Sequence, residues 1–286
     1  MADQSNIIRR LVFRLVRKHI AGTTTGSVLK GVKQLNEKKL HATVTFLSEH
    51  ATNANKIRYN TNTYVEFIRQ ISRLRLNADV SLRLSQIGYD TDPESCVRSL
   101  DQIAEVARKS GVMIWIEDED GLKASEIAGA ISKMSNASGT LGLEVPVVGK
   151  SLEKASLNGF KNIRLTSYTK LGKESASDRI LDGYMSSIKA LGRGRRITVL
   201  EQDTKMIQKI VEKEKRSKKD FVFEVPLGYS KKRINKLSKM KFNLSVYVPY
   251  GSDWVPYAID KLTEGHIRDI AKAVLDGEHE GDSDHP

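Results

Sequence analysis

From residue 41 onward, short β-rich runs alternate eight times with longer helical patterns. This alternation constrains the fold of the 286-residue chain more than any other feature. The runs are HATVTFLSE (41–49), ADVSLRLSQ (78–86), VMIWIED (112–118), TLGLEVPVV (140–148), NIRLTSYT (162–169), RITVLEQ (196–202), FVFEVPLG (221–228) and NLSVYVPYG (243–251). Each is rich in Val, Ile, Thr or aromatics and ends near polar residues or glycine, as strands do. Between them lie segments with helical periodicity. In PESCVRSLDQIAEVARKSG, Cys96, Val97, Leu100, Ile103, Ala104 and Ala107 share a face, and Gly111 follows as a stop signal. Strict βα alternation implies a parallel sheet clothed in helices. Eight units within residues 41–275, with no long insertion, favour closure into a (βα)8 TIM-type barrel over an open doubly wound sheet. The first strand is not followed by a glycine-rich phosphate turn, which also argues against an open dinucleotide-binding sheet.

Three segments are expected: an N-terminal helix and linker (1–40), the barrel (41–275) and an acidic tail (276–286). Residues 5–20 (SNIIRRLVFRLVRKHI) read as an amphipathic basic helix, with Ile7, Ile8, Leu11, Val12, Leu15 and Val16 on one face. Such a helix either packs on the barrel, as at its floor, or lies on an acidic membrane surface. TTTGSVLKG (23–31) has glycines but no preceding strand and reads as a linker. The formal charge is +12; the tail carries five acids and no Lys or Arg, which leaves +17 on the rest. Such a surface attracts anions. The basic residues are nevertheless scattered along helical faces, aromatic content is 6%, and no nucleic-acid motif accompanies them, so nucleic acid is not expected as a partner. Cys96 is the single cysteine, which rules out an internal disulfide, and no apolar run reaches the ~18–20 residues of a membrane span. A cytoplasmic protein, with peripheral membrane contact as the variant reading, is expected.

Function in such barrels sits at the C-terminal ends of the strands. The polar residues near those ends include Glu49, Arg83, Ser85, Glu117, Arg164, Ser167, Glu201, Gln202, Glu224 and Tyr247. Charges inside buried strands are costly unless they pair or bind something. For Arg83 an ion pair with a neighbour such as Glu117 and a role in ligand binding stand level, and Arg164 is balanced in the same way. The acidic run 117–120 reads as one inward acid plus a solvated loop. The histidines show no ligand spacing, so no metal is expected, and no nucleophile–base constellation can be read.

The closing segment NLSVYVPYGSDWVPYAIDKLTEG (243–265) resembles the final strand and helix of proline dehydrogenases, with Tyr247, Pro249, Gly251, Tyr257, Leu262 and Glu264 matching that motif. FLSEHAT (46–52), VSLRLSQIG (80–88) and IRLTSYTK (163–170) resemble three further segments of the family in order and spacing, with Glu49 and Arg164 matching. The resemblance implies a barrel flavoprotein that oxidises proline or a related amine acid by hydride transfer to FAD, with a membrane quinone as the final acceptor. It implies substrate contacts from Arg83, Tyr247, Tyr257, Asp260 and Lys261. Glu49, Glu117 and Glu264 would orient cations, while Arg164, Ser167 and Gln202 would lie toward the flavin. The sequence departs from the family in several places. Asp260 and Lys261 stand where the family has paired arginines, Arg83 replaces a lysine, and Ser167 replaces the lysine of the R-L-V-K strand. A barrel of the same family re-purposed for ligand binding or regulation is the second reading.

Overall fold

A computed structural model describes residues 17–119, 139–147, 160–167, 177–192, 194–201, 203–214, 221–229, 231–239 and 242–261. Eight parallel strands close in sequence order into one barrel. They are β1 (His41–Phe46), β2 (Ala78–Leu82), β3 (Ile114–Ile116), β4 (Leu141–Pro146), β5 (Asn162–Thr166), β6 (Arg196–Leu200), β7 (Phe221–Pro226) and β8 (Asn243–Tyr250). β8 closes onto β1 with His41 paired to Ser245 and Thr43 to Tyr247. The described helices are α1 (Thr25–Glu37), α2 (Ala54–Arg73), α3 (Pro93–Ser110), α4 (Ser177–Leu191), α5 (Thr204–Lys213), α6 (Lys231–Lys239) and α7 (Val255–Lys261). Each of the eight β-rich runs contains one strand.

The strands alternate with period two, and the two faces are chemically opposite. Ala42, Val44, Val80, Leu82, Ile114, Ile116, Leu143, Ile163, Leu165, Ile197, Val199, Phe223, Val225 and Val246 belong to one apolar cluster together with helix residues such as Tyr64, Ile68, Leu100, Ile188 and Leu237. This layer between sheet and helices is the hydrophobic core. The other face carries Thr43, Asp79, Ser81, Trp115, Glu144, Arg164, Thr198, Glu224 and Ser245, also buried or nearly so. Thr43 on β1 bonds Glu224 on β7, and Arg164 on β5 bonds Ser81 on β2. Contacts between non-adjacent strands can only run through the interior, so the axis of this barrel is polar.

Local signals account for the helix ends. The side chain of Asp92 caps α3 by accepting from Ser95 N–H, Pro93 opens the helix, and Gly111 ends it at φ 67°. The linker reading of 23–31 is corrected: this stretch opens α1. Thr24 and Ser27 form a reciprocal capping box, and Val28, Leu29 and Val32 bury one helical stripe against the barrel. That stripe, not a preceding strand, was the relevant signal. Residues 1–16 of the basic amphipathic segment lie outside the described residues. Its end is a short 3-10 turn, Arg17–His19. His19 Nδ1 lies 2.9 Å from the Leu227 carbonyl oxygen, and Ala21 N–H donates to the Pro249 carbonyl. This end therefore meets the C-terminal ends of β7 and β8, the mouth side of the barrel and not its floor.

Within the interior, Trp115 lies in register beside Gly142. A Cβ on Gly142 would stand 2.6 Å from the indole ring, so glycine here is a steric requirement of the tryptophan. Gly142→Ala should lower unfolding free energy by about 1–3 kcal/mol, as overpacking does. Combined with Trp115→Leu, the loss read from urea midpoints should be smaller than the sum of the two single changes.

Candidate functional site

Arg164 is the centre of the interior. It is fully buried at the middle of β5, where its strand neighbours Ile163 and Leu165 face the helices. Its Nη2 lies 2.7 Å from Glu144 Oε2 on β4 and donates to Ser81 Oγ at 2.7 Å. Its Nη1 donates to Glu224 Oε2 at 3.1 Å, and Glu117 Oε1 stands 3.8 Å from Nη2. The guanidinium carbon is 5.4 Å from the Trp115 ring centroid and 5.7 Å from that of Tyr247, placing the cation against two aromatic faces. Among the described residues, Arg164 Nε and Thr198 Oγ1 are buried without a hydrogen-bond partner. They belong to in-register residues of adjacent strands.

Above Arg164, at the strand ends, Glu117 gathers the mouth. Arg83 Nε donates to its Oε2 at 2.9 Å and the Tyr247 hydroxyl to its Oε1 at 2.7 Å. Burial works against the Glu117 carboxylate, but Arg83 and Arg164 outweigh it and hold the group below the ordinary range. Burial likewise opposes the charge on Arg83, and Glu117 more than restores it. The Arg83 side chain keeps 38% of its surface exposed, so this cation is anchored at one end and open at the other. Burial pushes the Tyr247 hydroxyl far up, with Glu117 acting in the same direction, so it stays a neutral donor.

The expected site residues divide accordingly. Arg83, Glu117, Arg164 and Tyr247 meet in one network, and the expected pair Arg83–Glu117 is present. Ser167 donates to Glu201 at 2.9 Å, beside the Tyr184 hydroxyl, and so belongs to a separate cluster at the β5–β6 end. Glu49 is exposed on the loop after β1, where its N–H donates to Asp253; it is not in the network. Tyr257 is half-buried on α7 and packs with the cluster of Ile20, Leu47, Trp254 and Ala258. Gln202 and Glu264 lie outside the described residues, as do the side chains of Asp260 and Lys261, whose backbone ends α7. Of the acidic run, Glu117 points inward as read, but Glu119 is half-buried and accepts from the N–H and hydroxyl of Ser85, so this part is not a solvated loop. Gly251 of the closing motif has a specific task. At φ 141° a Cβ there would stand 2.4 Å from the Leu47 carbonyl oxygen, and the chain end of β8 could not lie beside β1.

Sequence reading passed over Glu144, Ser81 and Thr43, and of the histidines, His41 among them, it noted only that they lack ligand spacing. The signal was available for Glu144: a charged residue at the inward period of a strand, the same signal that singled out Arg83. Burial raises the Glu144 carboxyl, and Glu117 and Glu224 push it the same way against Arg164. Its folded value therefore lies above its unfolded one. The stability tied to this proton is present below the ordinary carboxylate range of about 4–5 and is lost as pH rises through the raised folded value. Glu144→Gln should remove this dependence. Its stability relative to the parent, followed by urea unfolding, should improve between about pH 5 and about pH 8 by on the order of 1–2 kcal/mol.

No family model matches the chain. Among curated proteins it is similar to proline dehydrogenase 2 of Bacillus subtilis (strain 168), with 28% identity over 258 residues, 86% of this chain and 85% of the relative. It is also similar to proline dehydrogenase 1 of the same strain, 27% identical over 261 residues, 87% of this chain and 86% of the relative. Among solved structures, proline utilization A from Bdellovibrio bacteriovorus superposes with a TM-score of 0.76 at 13% identity, over 98% of this chain. The chain spans 35% of the length of that larger protein. The alignments to the curated relatives cover most of this chain. Over most of its length the chain is thus similar to proline dehydrogenases, as its closing motif also suggests.

Proposed function

We propose that the chain oxidises proline, or a closely related cyclic amine acid, with FAD as the hydride acceptor and a quinone as the final oxidant. The observation that carries this reading is the arrangement of Arg83. Its Nε is fixed by Glu117 at 2.9 Å, and among the described residues its terminal nitrogens make no hydrogen bond. A half-exposed guanidinium held in this way presents a preset fork to a carboxylate. Tyr247, oriented by its own bond to Glu117, supplies an aromatic wall beside that fork. A re-purposed, non-catalytic barrel is not favoured by relatives that carry the name of the enzyme along most of their length.

The described residues fit a flavin at the base of the mouth. The unpartnered Arg164 Nε is a buried donor and the unpartnered Thr198 hydroxyl a donor or acceptor, suited to the carbonyl and ring-nitrogen edge of an isoalloxazine. These two residues would hold the ring, with Ser167 and Gln202 toward its edge as the family resemblance implies. FAD, when bound, accepts the hydride. The protein's own part is to bind and orient. Arg83 grips the carboxylate, Tyr247 packs on the ring, and Glu117 keeps both in register while it stays ionised. Among the described residues no helix is long and apolar enough to cross a membrane. Contact with a quinone-bearing membrane is assigned to the basic segment 5–20.

Reconstitution with FAD followed by anaerobic addition of proline tests the reading: the flavin should bleach, and a chain that neither takes up FAD nor bleaches overturns it. Arg83→Met should raise KM for proline roughly 10–100-fold with a smaller change in kcat, the equivalent of losing one charge-assisted hydrogen bond. Asp260→Arg, which restores the family's basic pair with Lys261, should lower KM by about tenfold.

A further inference from the structure

The polar interior continues below Arg164 to the opposite face of the barrel. At that floor, His41 Nε2 lies 3.4 Å from Asp79 Oδ1, and the other Asp79 oxygen accepts from Trp115 Nε1 at 3.3 Å. His41 Nδ1 is 3.1 Å from Ser245 Oγ, which is 3.2 Å from Thr43 Oγ1. The Thr43 hydroxyl donates to Glu224 Oε1 at 2.5 Å, and the other Glu224 oxygen accepts from Arg164. Arg164 then donates to Ser81, and its Nη2 stands 3.8 Å from Glu117 Oε1 at the mouth. One chain of hydrogen bonds and ion pairs thus runs the length of the barrel axis. A polar pocket of about 240 Å³, lined by His41, Arg75, Asn77, Asp79 and Ser110, brings solvent to its lower end.

We propose that His41 is a positioning residue for the mouth, acting through Ser245, Thr43 and Glu224 on Arg164. Donor counting carries the argument. Thr43 has one hydroxyl proton and gives it to Glu224. The contact between Thr43 and Ser245 is then a bond only if Ser245 donates, and Ser245 must in turn accept from His41 Nδ1. His41 Nε2 faces Asp79 Oδ1 at 3.4 Å, which orients the ring for that bond. Every bond from His41 Nδ1 to Glu224 then points one way, and aligned hydroxyls polarise one another. Without the imidazole donor the Ser245 hydroxyl is free to turn, Thr43 loses its donor, and Glu224 holds Arg164 in an altered field. The charged groups facing His41 are Asp79 from β2 and Arg75 from the turn after α2, which lines the same pocket. β8 contributes Ser245 and β3 contributes Trp115, neither of them charged.

The coupling goes beyond the proposed reaction and can be read without flavin or substrate. Trp254→Phe leaves Trp115 as the single tryptophan, and its fluorescence reports on the floor. In the same full-length protein labelled with 15N-arginine, the Arg164 Nε–H resonance reports on the centre. At constant pH, His41→Leu should move both signals. Thr43→Val, nearly isosteric, should shift the Arg164 resonance and leave the Trp115 emission unchanged, and adding His41→Leu to it should move Arg164 no further, while Thr43→Ser should restore the parent resonance. If His41→Leu does not fold, Ser245→Ala takes its place. An Arg164 resonance unchanged in Thr43→Val, or one that His41→Leu moves equally with and without Thr43→Val, overturns the proposal.

Discussion

A guanidinium with no solvent contact needs partners, and the architecture of this barrel follows from how Arg164 finds them. Carboxylates reach it from β3, β4 and β7, and a hydroxyl reaches it from β2. An isolated buried charge would cost far more than a domain's net stability, whereas a paired and hydrogen-bonded one is tolerable. The pairing spans the barrel, so it also fixes the relative height of strands far apart in sequence. The aromatic faces of Trp115 and Tyr247 complete the shell, and the steric demand of Trp115 in turn accounts for Gly142.

This arrangement separates two tasks that many proteins give to one core. Stability by burial of apolar surface sits outside the strands, where β-branched residues meet the helices. The inside is left to electrostatics. A network of ion pairs is a firm mount for groups at the mouth, because a displacement of Arg83 or Tyr247 disturbs Glu117 and, through it, Arg164. It also joins the two ends of the barrel into one system of hydrogen bonds and ion pairs, since hydroxyls, Glu224 and Arg164 lie between His41 and Glu117 with no apolar layer among them.

Much of this was legible along the chain. All eight strands, the closure and the end of α3 at Gly111 follow from period-two and period-3.6 patterns and from turn chemistry, which are local properties. Arg83 and Arg164 stood out as charges at inward strand positions. Glu144, between Leu143 and Val145 on β4, obeyed the same rule and was passed over. The α1 stretch was misjudged because its three threonines and glycines resemble a loop, while the capping box that starts the helix needs the reciprocal geometry of Thr24 and Ser27 to be recognised.

By itself the sequence determined the class of fold, the family resemblance and the residue types available for chemistry, because each of these rests on spacing within a few residues or on a linear motif. Only the tertiary structure decided who pairs with whom. Arg83 lies 34 positions from Glu117, Arg164 lies 60 from Glu224, and Tyr247 lies 130 from Glu117. No local rule connects such residues. Their meeting depends on the register of eight strands around a closed ring, where shifting one strand by a single residue would turn its charges out of the axis and into the apolar layer.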